Sequence, residues 1–276
     1  MDASSDIPDW GAKGLSNYHM HTVWCDGKDT AEAMVLSAID QGFREVGFSS
    51  HAMLPLSAEG YLSPVSALGY ADEIRALKAK YYGRLSVRLG VEADYVRGLT
   101  SPNRALYAHL GVEYVIGSIH FVMPPGATGL DQAVCVDMSP ESLRKGIDEK
   151  YEGDVRAYVG DYFAQEREMV LSCDFDIVGH PDLIRKFNGT MRYLDEGSVW
   201  YMGELEATAD AIARSGKIVE INTGAISRGW MDDAYPSSAF LSLLKARGVK
   251  AILSSDAHSA KAIGCAFERF APLADF

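Results

Sequence analysis

What most constrains this chain is a regular alternation of short β-rich runs with longer helical stretches. The apolar and β-branched runs predict strands at residues 16–21, 45–51, 86–95, 114–121, 174–180, 217–223 and 249–256. Helical patterns fall between them at 30–41, 65–82, 101–110, 139–171, 195–215 and 236–247, with a last one at 260–271. Gly42, Gly83, Gly111, Gly216 and Gly248 act as stops, because a left-handed residue after a helix costs glycine little. Strands alternating with helices imply parallel pairing through right-handed crossovers, and seven such units imply a closed or nearly closed barrel. A doubly wound open sheet is the alternative. No linker or shift of composition divides residues 1–276, so one domain is expected. Residues 123–136, with Pro124, Pro125, Gly126 and Gly129, read as a long loop after the fourth strand, of a length that is usually functional or flexible.

Composition narrows the classes. With 47% apolar residues the chain has ample material for a core, which excludes disorder. Its 38 acidic against 26 basic residues give a net charge of -12, which argues against nucleic-acid backbones and anionic membranes as partners. A phosphorylated small molecule stays open, since one site can be locally positive. The opening MDASSDIPDW has no basic start followed by an apolar run, and no stretch approaches the roughly 18 apolar residues that span a bilayer, so a cytoplasmic location is expected. Cys25, Cys135, Cys173 and Cys265 lie far apart with no CxxC pair and read as reduced thiols, mostly small buried side chains.

The histidines carry the chemistry. His19, His21, His51, His120 and His180 fall at or near the C-terminal ends of predicted strands, and His258 follows the seventh. In a parallel barrel those ends converge on one face, where active sites are built. In HMHTVWCDG, His19 and His21 stand two apart, so on a strand both side chains face the same way and can bind one cation. Asp26 follows in a tight turn and competes with Asp29 for ligation or for capping the next helix. Glu92, flanked by apolar residues in GVEADYV, asks for burial, and a buried carboxylate needs a partner or a metal; a salt bridge to an arginine inside the barrel is the plainer reading. Asp256 and His258 repeat the two-apart geometry in SSDAHS. Nine candidate ligands are too many for one ion, and mixed imidazole and carboxylate donors suit zinc, manganese or iron(II). His109, in ALYAHLG, is expected to be a solvated or helix-capping side chain.

HMHTVWCDG, FSSHAMLP, GVEADYV, YVIGSIHF, DIVGHPDLIRKF, VEINTGAISRG and ILSSDAHS, in this order over about residues 16–265, resemble the PHP (polymerase and histidinol phosphatase) superfamily, in its stand-alone histidinol-phosphatase type. The resemblance implies a distorted seven-stranded (β/α)7 TIM-like barrel with three divalent metal ions. It places one ion on His19, His21, Glu92 and Asp256, a second on Glu92, His120 and His180, and a third on Asp26, His51 and His258. The chain departs from many related sequences in carrying Ser50 before His51.

The implied activity is hydrolysis of a phosphomonoester, L-histidinol phosphate first, to L-histidinol and inorganic phosphate, by a hydroxide bridging two ions. Glu92, Asp256 and His258 stand as the expected catalytic residues. Arg228, Arg185 and Lys186 are the expected phosphate-binding groups, a planar guanidinium matching two phosphate oxygens; a solvated helix-end pair is the plainer reading of Arg185 and Lys186. Ser118 and Asn222 are expected to orient ligands. A PHP phosphatase acting on phosphotyrosine or another small metabolite, and a PHP exonuclease, are the alternatives, the latter disfavoured by the charge of -12.

Overall fold

A computed structural model describes residues 14–55 and 58–275. The N-terminal segment read above for a leader lies outside the described residues. The strands, in chain order, are β1 (Ser16–Asn17), β2 (Glu45–Phe48), β3 (Ser86–Asp94), β4 (Tyr114–Ser118), β5 (Phe121–Val122), β6 (Val134–Cys135), β7 (Ile177–Val178), β8 (Ile218–Asn222) and β9 (Ala251–Ser254). Seven of them form one parallel sheet in the order β1-β2-β3-β4-β7-β8-β9, the seven units expected from the alternation. The two edge strands form no ladder of their own among the described residues, and their backbones are bridged beyond their C-terminal ends. There Met20 bridges Ala257, the His21 amide donates to the Ala257 carbonyl at 2.9 Å, and the Ala257 amide donates to the His19 carbonyl at 3.3 Å. The barrel is therefore nearly closed, and it is drawn shut at the rim that carries the histidines.

Caps explain where the helices begin. Thr30 accepts the Ala33 amide at the start of Ala31–Asp40, and Ser63 exchanges bonds with Ser66 ahead of Pro64–Lys80. Three expected helices are cut differently. The stretch 139–171 is two helices, Pro140–Lys150 and Val155–Ser172, because Glu152 and Gly153 turn left-handed and Asp154 caps the second. Residues 101–110 shorten to Arg104–Tyr107 running into a 3-10 turn, since Pro102 disfavours helix at the residue before it. Residues 260–271 become a 3-10 turn at Ala260–Ala262 and a short helix at Phe267–Phe270, separated by Ala266 at φ +59°. The loop 123–136 is tied at its base by the antiparallel pair β5 and β6. Of the four thiols, all free, only Cys173 is buried; the other three are partly exposed.

The core has two parts. Tyr18, Tyr114, Ile116, Ile177 and Ile252 fill the barrel interior, and the larger cluster packs the strands against the helices. Tyr114 fits because Gly47 and Gly90 face it; a Cβ on either would fall 2.3 Å from its ring or hydroxyl. With the interior filled by two tyrosine rings and three isoleucines, the strand C-termini are left to polar side chains. Among the described residues no helix is long and apolar enough to cross a membrane.

Candidate metal centre

Glu92, 1% exposed in β3, organises the site. Its Oε1 lies 2.9 Å from His180 Nε2 and 3.6 Å from His120 Nε2. Its Oε2 lies 3.0 Å from His51 Nδ1, 3.2 Å from His19 Nε2 and 3.5 Å from His21 Nε2. Asp256 Oδ1 approaches His21 Nε2 at 3.3 Å and His19 Nε2 at 3.8 Å. At the mouth, Asp26, with its side chain 40% exposed, sets Oδ2 3.0 Å from His258 Nε2 and 3.8 Å from His51 Nε2, and Oδ1 3.5 Å from His21 Nδ1. All nine candidate ligands thus converge. They fall into four overlapping groups whose donor atoms lie within 4.8 Å of one another: His21, Asp26, His51 and His258; His19, His21 and Asp256; His19, Glu92 and His180; His51, Glu92 and His120. Asp29, the competitor of Asp26, instead accepts the Ala260 amide at 2.8 Å and starts the 3-10 turn there.

The donors fit divalent cations. His19 Nε2, His21 Nε2, His51 Nδ1 and Glu92 Oε2 are buried, face one another, and make no hydrogen bond. Buried polar atoms in that state require a partner. Charge argues the same way: the carboxylates of Asp26, Glu92, Asp94, Glu220 and Asp256 are gathered around the imidazoles, and among the described residues only Asp256 of these five is paired with a guanidinium, that of Arg228. Without a cation, four of the imidazoles, those of His19, His21, His51 and His120, are shifted toward their charged forms. Burial opposes it, yet the carboxylates of Glu220, Glu92 and Asp256 raise His19 well above the ordinary imidazole value. His120 is pushed up to about 9 against burial by Asp94 and Glu92. His21 reaches about 9 against burial and the His51 charge, through Cys25 and Asp256. Glu92 and Asp256 stay well below the usual carboxylate range in spite of burial, Glu92 because of His19, His51 and His120, Asp256 because of Arg228 and His19.

Groups behind the ligands hold them in place. Ser118 Oγ donates to Glu92 Oε1 at 2.7 Å, His120 Nδ1 meets Asp94 Oδ1 at 2.8 Å, and His19 Nδ1 meets Glu220 at 2.9 and 3.1 Å. Asn222 Nδ2 donates to Glu220 Oε1 at 2.7 Å. Sequence reasoning named Ser118 and Asn222 but missed Asp94 and Glu220. The signal was there: Glu220 in VEIN is as apolar-flanked as Glu92, and Asp94 follows Glu92 by two, on the same face of the strand. It also missed Cys25, whose Sγ lies 3.4 Å from His21 Nδ1 and whose thiol is lowered to about 6 against burial by His21. Two of the candidate ligands sit on left-handed backbone, His180 at φ +22° and Asp256 at φ +47°, which non-glycine residues adopt rarely and mostly at functional positions.

Arg228 flanks the cluster. Its Nη1 donates to the Asp256 carbonyl at 3.0 Å and lies 3.0 Å from His258 Nδ1, while Nη2 donates to Asp256 Oδ2 at 2.9 Å. It also lines a cleft of about 620 Å³ with Asp26, Lys28, Trp230, His258 and Lys261, which places three cationic side chains beside the outermost ligands. Arg185 and Lys186 are placed differently from either expectation. Neither is solvated: both are buried. Arg185 gives Nε to Glu196 at 2.6 Å, Nη2 to Asp233 at 3.1 Å and Nη1 to the Ala234 carbonyl at 3.2 Å, so its fork holds neighbouring loops together instead of standing free for an anion. Lys186 donates to the carbonyl and carboxylate of Asp137 at 2.8 and 3.1 Å. His109 is exposed, away from the cluster.

The family model described as PHP domain matches residues 17–224. A relative from Deinococcus radiodurans, named "Probable histidinol-phosphatase", is 30% identical over 260 residues, covering 92% of this chain and 90% of its own length. A crystal structure from Listeria monocytogenes superposes with a TM-score of 0.81 at 22% identity, covering 92% of this chain and 99% of that one. A histidinol phosphate phosphatase from Lactococcus lactis, solved with zinc, L-histidinol and phosphate, superposes with a TM-score of 0.66 at 18% identity, covering 94% and 92%.

Proposed function

This chain belongs to the PHP domain family, and from that premise we propose that it is a metal-dependent phosphomonoesterase whose preferred substrate is L-histidinol phosphate, cleaved to L-histidinol and inorganic phosphate in histidine biosynthesis. The observation that carries the reading is the nine-residue donor set, five of whose imidazoles share the two oxygens of Glu92, with a guanidinium alongside. The relatives' names support the substrate. We read residues 1–276 as one catalytic domain, built on the single seven-stranded sheet.

Three divalent ions, of zinc, manganese or iron, fit the donors; when bound they supply charge neutralisation for the phosphoryl oxygens and a water acidified enough to attack at neutral pH. His19, His21, Glu92 and Asp256 would hold one, Glu92, His120 and His180 a second, and Asp26, His51 and His258 the third. The protein's own part is positioning and electrostatics, which dominate phosphoryl transfer. Arg228, braced by Asp256 and the His258 ring, offers a buried Nε with no partner of its own and a fixed charge beside the cluster. Lys28 and Lys261 extend that positive wall along the cleft and favour an incoming dianion despite the acidic surface. Burial of Glu92, His19 and His180 keeps bulk water from competing at the reacting centre.

The test is a screen of zinc- or manganese-loaded enzyme over a panel of phosphorylated metabolites. A kcat/KM for L-histidinol phosphate far above that for a generic aryl phosphate is the expected result; equal efficiencies would overturn the substrate assignment. The cationic cleft favours a second reading, a small phosphoester bearing further negative charge, and the same panel would show it as a higher efficiency for that compound.

A further inference from the structure

We propose that Glu220 is a positioning residue that sets two histidines of the centre at once, fixing the tautomer of His19 and pinning the main chain of His180. The inference rests on the metal-centre reading above and reaches a residue outside the ligand set. Alternation along β8 puts Glu220 and Asn222 on one face of the strand. Glu220 is fully buried, and its carboxylate is saturated by four contacts: Oε2 and Oε1 to His19 Nδ1 at 2.9 and 3.1 Å, Oε1 from the His180 amide at 2.8 Å, and Oε1 from Asn222 Nδ2 at 2.7 Å. Asn222 is fixed in turn, its Oδ1 accepting the Gly224 amide at 2.8 Å.

The consequence for His19 follows from donor and acceptor inventory. An ionised carboxylate only accepts, so the ring nitrogen facing it must carry the proton, and a neutral imidazole then presents its lone pair on Nε2. Nε2 is the atom that points at Glu92 Oε2 and Asp256 Oδ1, and it has no hydrogen-bond partner. For His180 the consequence is conformational. Its φ of +22° is a setting that non-glycine residues rarely hold unaided, and its amide is bonded to Glu220 there. From that backbone the ring reaches Glu92 Oε1. One buried carboxylate thus orients a ligand on each oxygen of Glu92. A salt bridge serving stability alone would not require this pairing of a ring nitrogen with a strained amide.

Two measurements decide it, neither using substrate. In zinc-loaded wild-type protein labelled with 15N-histidine, long-range nitrogen–proton correlations should show His19 protonated at Nδ1; a proton at Nε2 would overturn the assignment whether or not any variant folds. In competition with a chromophoric chelator, Glu220→Gln should bind zinc about 10- to 100-fold more weakly than wild type while keeping its circular dichroism, the range typical for losing a group that orients a ligand. Asn222→Ala, which keeps the carboxylate and removes one of the three contacts on Oε1, should lose less in the same direction. Glu220→Gln affinity equal to wild type overturns the role of Glu220 and leaves the metal centre standing. A wild-type protein that binds no zinc, manganese or iron overturns both.

Discussion

Glu92 and Glu220 look alike in the sequence, each a lone acid between apolar neighbours on a strand, and they sit in different layers of one site. Glu92 collects five imidazoles on its two oxygens; Glu220 stands behind two of them. Replacing Glu92 with Gln is expected to lower turnover by more than about 100-fold, beyond the usual range for a supporting group, and to release metal while the fold persists. Metal analysis with circular dichroism checks this, and full occupancy with a normal rate would refute the bridging role. Arg228→Ala should instead leave metal bound and weaken phosphate by about 10- to 100-fold, the equivalent of one charged hydrogen-bonded contact of about 1.5–3 kcal/mol. Equilibrium dialysis with inorganic phosphate reads it directly, and unchanged affinity removes Arg228 from the anion site. At this scale the sequence exposed which side chains are chemically competent. It did not reveal that Arg185 has carboxylate partners, because Glu196 and Asp233 come to it from later loops.

Strands and helices were largely legible because each carries its own period and punctuation. The seven strand runs lie in the sheet, shortened where pairing stops: β1 and β7 keep only two ladder residues each, and the histidines lie just beyond. The break in 139–171 was also written in the chain, as Gly153 followed by the capping Asp154, but a long amphipathic pattern on both sides concealed it. The barrel interior was less legible, since its fit depends on residues from different strands. Tyr114 of β4 occupies space that Gly47 of β2 and Gly90 of β3 leave open. Gly90→Ala should therefore cost about 1–3 kcal/mol through overpacking, seen as a lower urea midpoint with unchanged metal content. An unaltered midpoint would mean that the ring can shift away without penalty.

Across the whole molecule the acidic excess and the histidine cluster are one electrostatic problem. The charge of -12 counts no metal, and three divalent ions would offset about half of it at the barrel mouth. In metal-free protein the raised imidazoles substitute for those ions. Their folded values, about 9 for His21 and His120, exceed the unfolded value of 6.5, so the stability they contribute is complete below 6.5 and is lost as pH rises through about 9. Chelator-stripped protein should accordingly lose thermal stability between about pH 7 and about pH 9.5, while metal-loaded protein holds its Tm over the same range. Parallel curves by scanning fluorimetry would contradict the assignment. Zinc uptake should also release protons, measurable in weakly buffered solution. The sequence by itself determined the alternating elements, the parallel barrel they imply and the donor types at the strand ends, because periodicity, caps and residue chemistry are local properties. Only the tertiary structure decided which oxygen of Glu92 meets which imidazole, that Asp26 and not Asp29 joins them, that Arg185 is tied to neighbouring loops, and that Glu220 stands behind His19 and His180. Those are contacts between residues up to 232 positions apart, and closure of the sheet is what brings them within hydrogen-bonding reach.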